Sequence, residues 1–245
     1  MAAGSRQEPG GGRAAVQPGR EMDAGPASRR ATLFMRLTYV VAGLSWIAAL
    51  AALPYLPETI PIHWNALGQA DQYASGLVGA FSFAVIITLT AIFLTVSPRF
   101  KRWRHTFDYG GEISAIVILA TVSMIFGLQG LVLLSSAGVD LPLTVGISML
   151  IGFFFIVAGS LMPSIPRNLS VGFRLPWTIR DETVWKKTHE HGGPVLLLAG
   201  IVIVPGSAIA GAWAIPLAVG ISVAAILYVT VWSYRLWRNR EKAER

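Results

Sequence analysis

Every lysine and arginine in this 245-residue chain lies on alternate connections between apolar blocks, and this partition constrains the fold more than any other feature. Four blocks, Leu37–Leu53, Leu77–Val96, Ile113–Leu134 and Leu143–Leu161, approach the roughly 20 residues a helix needs to cross a hydrocarbon core. The last block, Pro194–Trp232, is too long for one crossing and suits two. A turn at Pro205-Gly206 would leave only Val195–Val204 as a span. The turn is therefore predicted at Gly211-Ala212-Trp213, with Pro205 kinking the fifth helix. Six arginines, from Arg6 to Arg36, precede the first span. Arg99, Lys101, Arg102 and Arg104 follow the second, and Arg167, Arg174, Arg180, Lys186 and Lys187 follow the fourth. Arg235, Arg238, Arg240, Lys242 and Arg245 end the chain, which accounts for all 20 cations. The remaining connections hold only the acids Glu58, Asp71 and Asp140. Cations accumulate on the cytoplasmic side of a membrane. The expected fold is all-α, an integral plasma-membrane bundle of six transmembrane helices with both termini cytoplasmic, because five or seven spans would scatter the charges.

Composition agrees with this reading. Charged residues make up 13% of the chain and hydrophobic ones 53%, whereas a soluble domain carries about a quarter charged residues. There is no cysteine, which excludes disulfides, thiolate metal sites and cysteine nucleophiles. The net charge of +7 is explained by topology, with cations facing anionic lipid, so direct nucleic-acid binding is not expected. Residues 1–30, rich in Gly, Ala, Pro and Arg, read as a disordered cytoplasmic leader that lacks the pattern of a cleaved signal peptide, and Met22 is an alternative start. Residues 31–97 read as a first helical hairpin and 98–235 as a four-helix membrane region with a long inner loop at 163–193. Residues 236–245 read as a basic tail.

Two connections carry most of the chemistry. The outer one, Leu56–Ser75, contains Pro57 and Pro61, which bias the residues before them to extended backbone, and a turn-like Asn65-Ala66-Leu67-Gly68. It reads either as an interfacial connector anchored by Trp64 or as a recognition loop presenting His63, Trp64, Asn65 and Asp71. In the inner one, Pro163 and Pro166 stop the fourth helix and Val171–Thr178 reads as extended. Thr178 or Asp181 is positioned to cap a short helix reaching His189, with Glu182 near its start and Lys186 and Lys187 toward its end, as the helix dipole favours. The expected picture is an amphipathic segment on the inner leaflet, Trp177 and Trp185 in the interface and the cations at lipid phosphates, with or without a specific binding role.

Catalytic and metal chemistry find little support. In His189-Glu190-His191 the histidines are two apart, so they face different ways on a helix, whereas zinc-binding helices space them by four. His105 and Asp108 are weak additional ligands, and no metal or cofactor is expected. The spans hold no Asp, Glu, Lys, Arg or His, and Gln129 is their only amide, which leaves an ion relay without groups to run on.

The outer "PETIPIHWNALGQAD" and the inner "NLSVGFRLPWTIRDETVWKKTHEHGG" identify a family. The first resembles a P-x-x-I-P-x-H-W-N-x-x-G-x-x-D domain of unknown function. The second resembles the signature of the SdpI-type immunity proteins, which carry both elements in this order, and the resemblance covers about residues 33–235. Leu175 stands where the family often has Thr. The resemblance implies a non-enzymatic bacterial membrane protein that protects against a secreted, membrane-damaging peptide toxin and relays its presence by holding a cytosolic repressor at the membrane. It carries over a binding role to Pro61, His63, Trp64, Asn65, Gly68 and Asp71 outside. Inside, it does so to Asn168, Gly172, Arg174, Pro176, Trp177, Thr178, Trp185, Thr188, His189 and Gly192. The rival readings are a transporter or lipid-handling protein, which requires a polar cavity near Gln129, and a membrane enzyme, which requires His189, Glu190 and His191 to converge on a metal.

Overall fold

The structure, a computed structural model, describes residues 28–65, 69–100 and 111–243. The leader, the 101–110 connection with His105 and Asp108, and Gly68 at the outer turn lie outside the described residues. Long helices dominate: α1 (Arg29–Ala52), α2 (Gly76–Val96), α3 (Gly111–Ser136), α4 (Leu143–Leu161), α6 (Glu182–Ala210) and α7 (Ala214–Ala243), with a one-turn helix α5 (Pro176–Arg180) before α6. Five segments are long and apolar enough to cross a membrane, the last being Glu182–Ala243. That last segment is two helices, α6 and α7, meeting at a tight turn over Gly211–Trp213, the position expected from the sequence. Gly211 makes the reversal at φ +57°, outside the range side-chain-bearing residues favour. The two helices fold back on each other: a Cβ at Gly206 would lie 3.2 Å from Leu217, and one at Gly192 would lie 3.0 Å from Val229.

Two features depart from the expected fold. The outer connection is not merely extended: Thr59–Trp64 (β1) and Ala70–Ser75 (β2) form an antiparallel hairpin, the sole sheet among the described residues. Register shifts around Ile62–Trp64 bulge the strand. Ile60, fully buried among Ala49, Ala80 and Leu133, and Ile62, two residues on and so on the same face of the strand, both turn toward Gly79 of α2. The inner loop's helix, in turn, does not end at His189. It starts at Glu182 and runs unbroken through Gly192-Gly193-Pro194 and Pro205 to Ala210, so no separate amphipathic helix lies on the leaflet.

The tightest helix pair is α4 against α6. A Cβ at Gly159 would stand 2.6 Å from the Gly193 carbonyl, and one at Gly193 would stand 2.8 Å from the Gly159 carbonyl. Gly152 and Gly200 repeat the approach seven residues on. Small residues at such spacing let membrane helices touch backbone to backbone, which is their main source of packing energy where lipid removes the hydrophobic drive. Gln129 is also packed solidly: its side chain is fully buried and its amide donates to the Ser45 carbonyl at 2.9 Å. Its side-chain oxygen has no hydrogen-bond partner among the described residues, and the clefts lined by residues 182–190 and 53–77 do not reach it.

Chain direction places the hairpin at one end of the bundle, with the α3–α4 and α6–α7 connections. The loop between α4 and α6 lies at the other end, with the start of α1 and the end of α7. All described cations lie at this second end.

Candidate functional site

At the second end, residues 162–181 fold into a strap across the mouth of the bundle. Each turn of it is fixed by a side chain the sequence singles out. Asn168, nearly fully buried, closes the first bend: its Oδ1 accepts from the N–H groups of Ser170 and Val171 at 2.7 and 2.8 Å, and its amide donates to the carbonyls of Pro166 and Val171. Arg174 stays exposed and donates to the Leu169 carbonyl, and Arg167 donates to Ile179 at 3.0 Å. Pro176 opens α5, where a missing N–H costs nothing, and the buried Thr178 hydroxyl accepts from Leu175 N–H at 2.9 Å and donates back to the Phe173 carbonyl.

His189 is the centre of the strap. It is 1% exposed, stacks on Trp185 at 4.1 Å and meets Phe173 edge-on. The Phe173 N–H can only donate, so Nε2, 3.1 Å away, is the lone-pair nitrogen. Nδ1 then carries the hydrogen and donates to the Trp185 carbonyl at 2.8 Å. The ring is neutral: Nδ1 fixes it to its own helix, and Nε2 holds the strap to α6. Trp185 is 2% exposed, and its indole donates to Ile165 at 3.1 Å. It therefore lies inside the protein and not at the lipid interface. Gly192 leaves room for the Phe173 ring, which a Cβ would approach to 2.8 Å. Thr188 is fully buried with no hydrogen-bond partner for its hydroxyl, and the structure gives no account of that.

Trp177 is half-buried and held from α7. Its indole donates to Ser233 of α7 at 3.0 Å, and its ring meets Tyr234 and Trp237. Asp181 caps α6 through Thr183 and Val184 N–H, at 2.8 and 3.0 Å, and pairs with Arg240 at 3.2 Å. Burial raises the Asp181 carboxyl, but those two N–H groups and the Arg240 guanidinium outweigh it and hold the pKa below the usual carboxylate value. Sequence reasoning assigns no role to Ser233, Trp237 or Arg240, because their partners lie more than fifty residues away in the chain.

His189, Glu190 and His191 diverge. Glu190 faces Lys186 at 3.9 Å, and His191 stacks on Trp232 at 4.1 Å and meets the Tyr228 hydroxyl. No cluster of potential metal ligands occurs among the described residues.

At the hairpin end, His63 Nδ1 lies 2.6 Å from Asp71 Oδ1, so the two expected residues do meet, as an exposed pair. Asn65 closes the turn: its Oδ1 accepts from Gln69 N–H at 3.0 Å, and its own N–H donates to the Gln69 carbonyl at 2.9 Å. Pro61 pairs across the hairpin with Tyr73, and Trp64 with Ala70. The outer and inner residues form two sites at opposite ends of the bundle.

Residues 164–233 match the SdpI/YfhL protein family, and residues 40–88 match a domain of unknown function, DUF1648. The chain is 28% identical over 206 residues to Immunity protein SdpI of Bacillus subtilis (strain 168), an alignment covering 83% of this chain and 95% of that protein. No solved structure matches the chain. The 40–88 match takes in the whole hairpin and the 164–233 match nearly all of the strap, in the order read from the two motifs. The chain is therefore similar to Immunity protein SdpI over most of its length, and each of its two loops falls in a matched domain.

Proposed function

We propose that this chain is a non-enzymatic immunity protein of the bacterial plasma membrane. It spans the bilayer six times with both termini cytoplasmic, protects its cell against a membrane-active peptide toxin, and relays the toxin's presence to a cytosolic repressor. The hairpin faces outward and is the receiving surface, with Pro61, His63, Trp64, Asn65, Gly68 and Asp71 as its binding residues. The strap faces the cytosol and is the output surface: Arg174 and Pro176 are exposed on it and Gly172 and Trp177 are half-buried, while the buried Asn168, Thr178, Trp185, Thr188, His189 and Gly192 set its shape from beneath. Residues 31–97 and 98–235 are the two functional parts, between a leader and a basic tail.

The observation that carries this reading is the opposition of the two matched loops across a bundle whose described cations all lie at the strap end. A protein that senses on one face and reports on the other needs that arrangement, and the cation bias sets which face is which. The resemblance to Immunity protein SdpI supports the protective role.

The test is expression in a toxin-sensitive bacterium challenged with the membrane-active peptide. Wild type confers survival, while Trp177→Ala and Arg174→Ala insert normally but do not protect. Normal protection by both variants would reduce the strap to an anchor.

A further inference from the structure

The SdpI/YfhL match ends at residue 233, and in the sequence the residues beyond it look like a basic tail that serves topology alone. Their phase on α7 says otherwise. Ser233, Trp237 and Arg240 are spaced by four and three, which puts them on one helical face. That face is turned inward: Ser233 is fully buried and Trp237 and Arg240 are half-buried, whereas Arg235, Arg238 and Asn239 between them are exposed. A tail selected for charge alone has no reason to keep that phase.

Each of the three residues meets the same short stretch of the strap. Ser233 accepts the Trp177 indole N–H at 3.0 Å, Trp237 stacks on Trp177 at 6.2 Å and 21°, and Arg240 pairs with Asp181 at 3.2 Å. The strap before Phe173 has its own anchors in Asn168, Trp185 and His189. Between Leu175 and Arg180 the hydrogen bonds other than that of Trp177 are local, apart from one from Arg167. Ile179 packs on the core around Met162, Ile165 and Trp185, and the end of α7 adds the stretch's one hydrogen bond and its ring contacts to another helix.

We propose that Ser233, Trp237 and Arg240 are positioning residues of the strap. They form a clasp, contributed by the last turns of α7, that holds Trp177 and Asp181 in place and, through Trp237 and Arg240, extends the site past the family-matched region. The role of this clasp in protection rests on the function proposed above; its role in holding the strap does not.

The absence of cysteine makes the test clean. Ser233→Cys places a single thiol beneath the Trp177 indole, where a water-soluble maleimide reaches it only when Trp177 lifts. The rate of labelling of the full chain in detergent follows the open population. In this background, added Trp237→Ala or Arg240→Ala speeds labelling about tenfold or more, while Trp237→Phe and Arg240→Lys return it to within about twofold of the parent. Thermal unfolding of the bundle stays unchanged, which separates release of the strap from general loosening. Labelling at the parent rate in both alanine variants would overturn the proposal. Cells carrying the two alanine substitutions in the otherwise native chain are then challenged with the peptide. Full protection despite an open strap would overturn the clasp's part in function. If the native chain itself gives no protection, the immunity reading fails while the clasp, judged by labelling, stands.

Discussion

Gly172 sits directly against the imidazole of His189: at φ +112°, it occupies backbone space where any Cβ would overlap Nε2. The contact explains why the strap needs glycine at this point. The backbone must turn through a conformation that L side chains disfavour, and it must do so within touching distance of a buried ring. Gly172→Ala is therefore expected to destabilise the folded chain by about 2–4 kcal/mol, combining φ strain with displacement of His189. A lowered thermal midpoint in detergent checks this; an unchanged midpoint would mean the strap relaxes freely.

His189→Ala tests the other half of the same contact. It leaves the Phe173 N–H and the Trp185 carbonyl without the ring that joins them. The Trp185 carbonyl keeps its helical donor, so the loss is that of orphaning the Phe173 N–H and removing a stacked ring, expected to cost about 3 kcal/mol in the same unfolding assay.

Asp181 predicts a pH dependence with a definite sign. Its folded pKa lies below its unfolded value, so the stabilisation it gives is whole above the unfolded value of about 3.9 and is lost as pH falls through the folded one. Asp181→Asn keeps a capping oxygen but drops the charge facing Arg240, which is partly exposed. The variant should be less stable than wild type by about 1 kcal/mol or less at neutral pH, with the gap closing in acid. Parallel unfolding curves across the acid range decide it.

At the α4–α6 contact, Gly159→Val drives a branched side chain into the backbone of Leu197 and the Gly193 carbonyl. Separation of these helices is expected to lower stability by about 2 kcal/mol or more. Retained stability and helix packing would show that the close approach is dispensable.

Much of this organisation was legible in the sequence, for reasons that can be stated. Apolar block length and cation placement located the helices and the reversal at Gly211–Trp213, because both follow from simple chain-scale physics. Asp181 was readable as a cap because capping is local. The hairpin was not, since two prolines and a mixed pattern hid its alternation and its anchor, Ile60, depends on a distant Gly79. The extent of α6 was missed because Gly192-Gly193-Pro194 reads as a break. In the bundle those glycines sit against Phe173 and Gly159, and packing overrides propensity. The joining of Trp177 to Ser233 and of Asp181 to Arg240 has no local signal at all.

The central claim is that the hairpin and the strap face opposite sides of the membrane, outside and inside. The cysteine-free chain allows a direct measurement, with single thiols introduced by Tyr73→Cys in the hairpin and Leu169→Cys in the strap, both at exposed positions. An impermeant maleimide applied to intact cells is expected to label the first variant at once and the second only after the membrane is opened. Labelling of both thiols in intact cells, or of the strap thiol alone, would contradict the account.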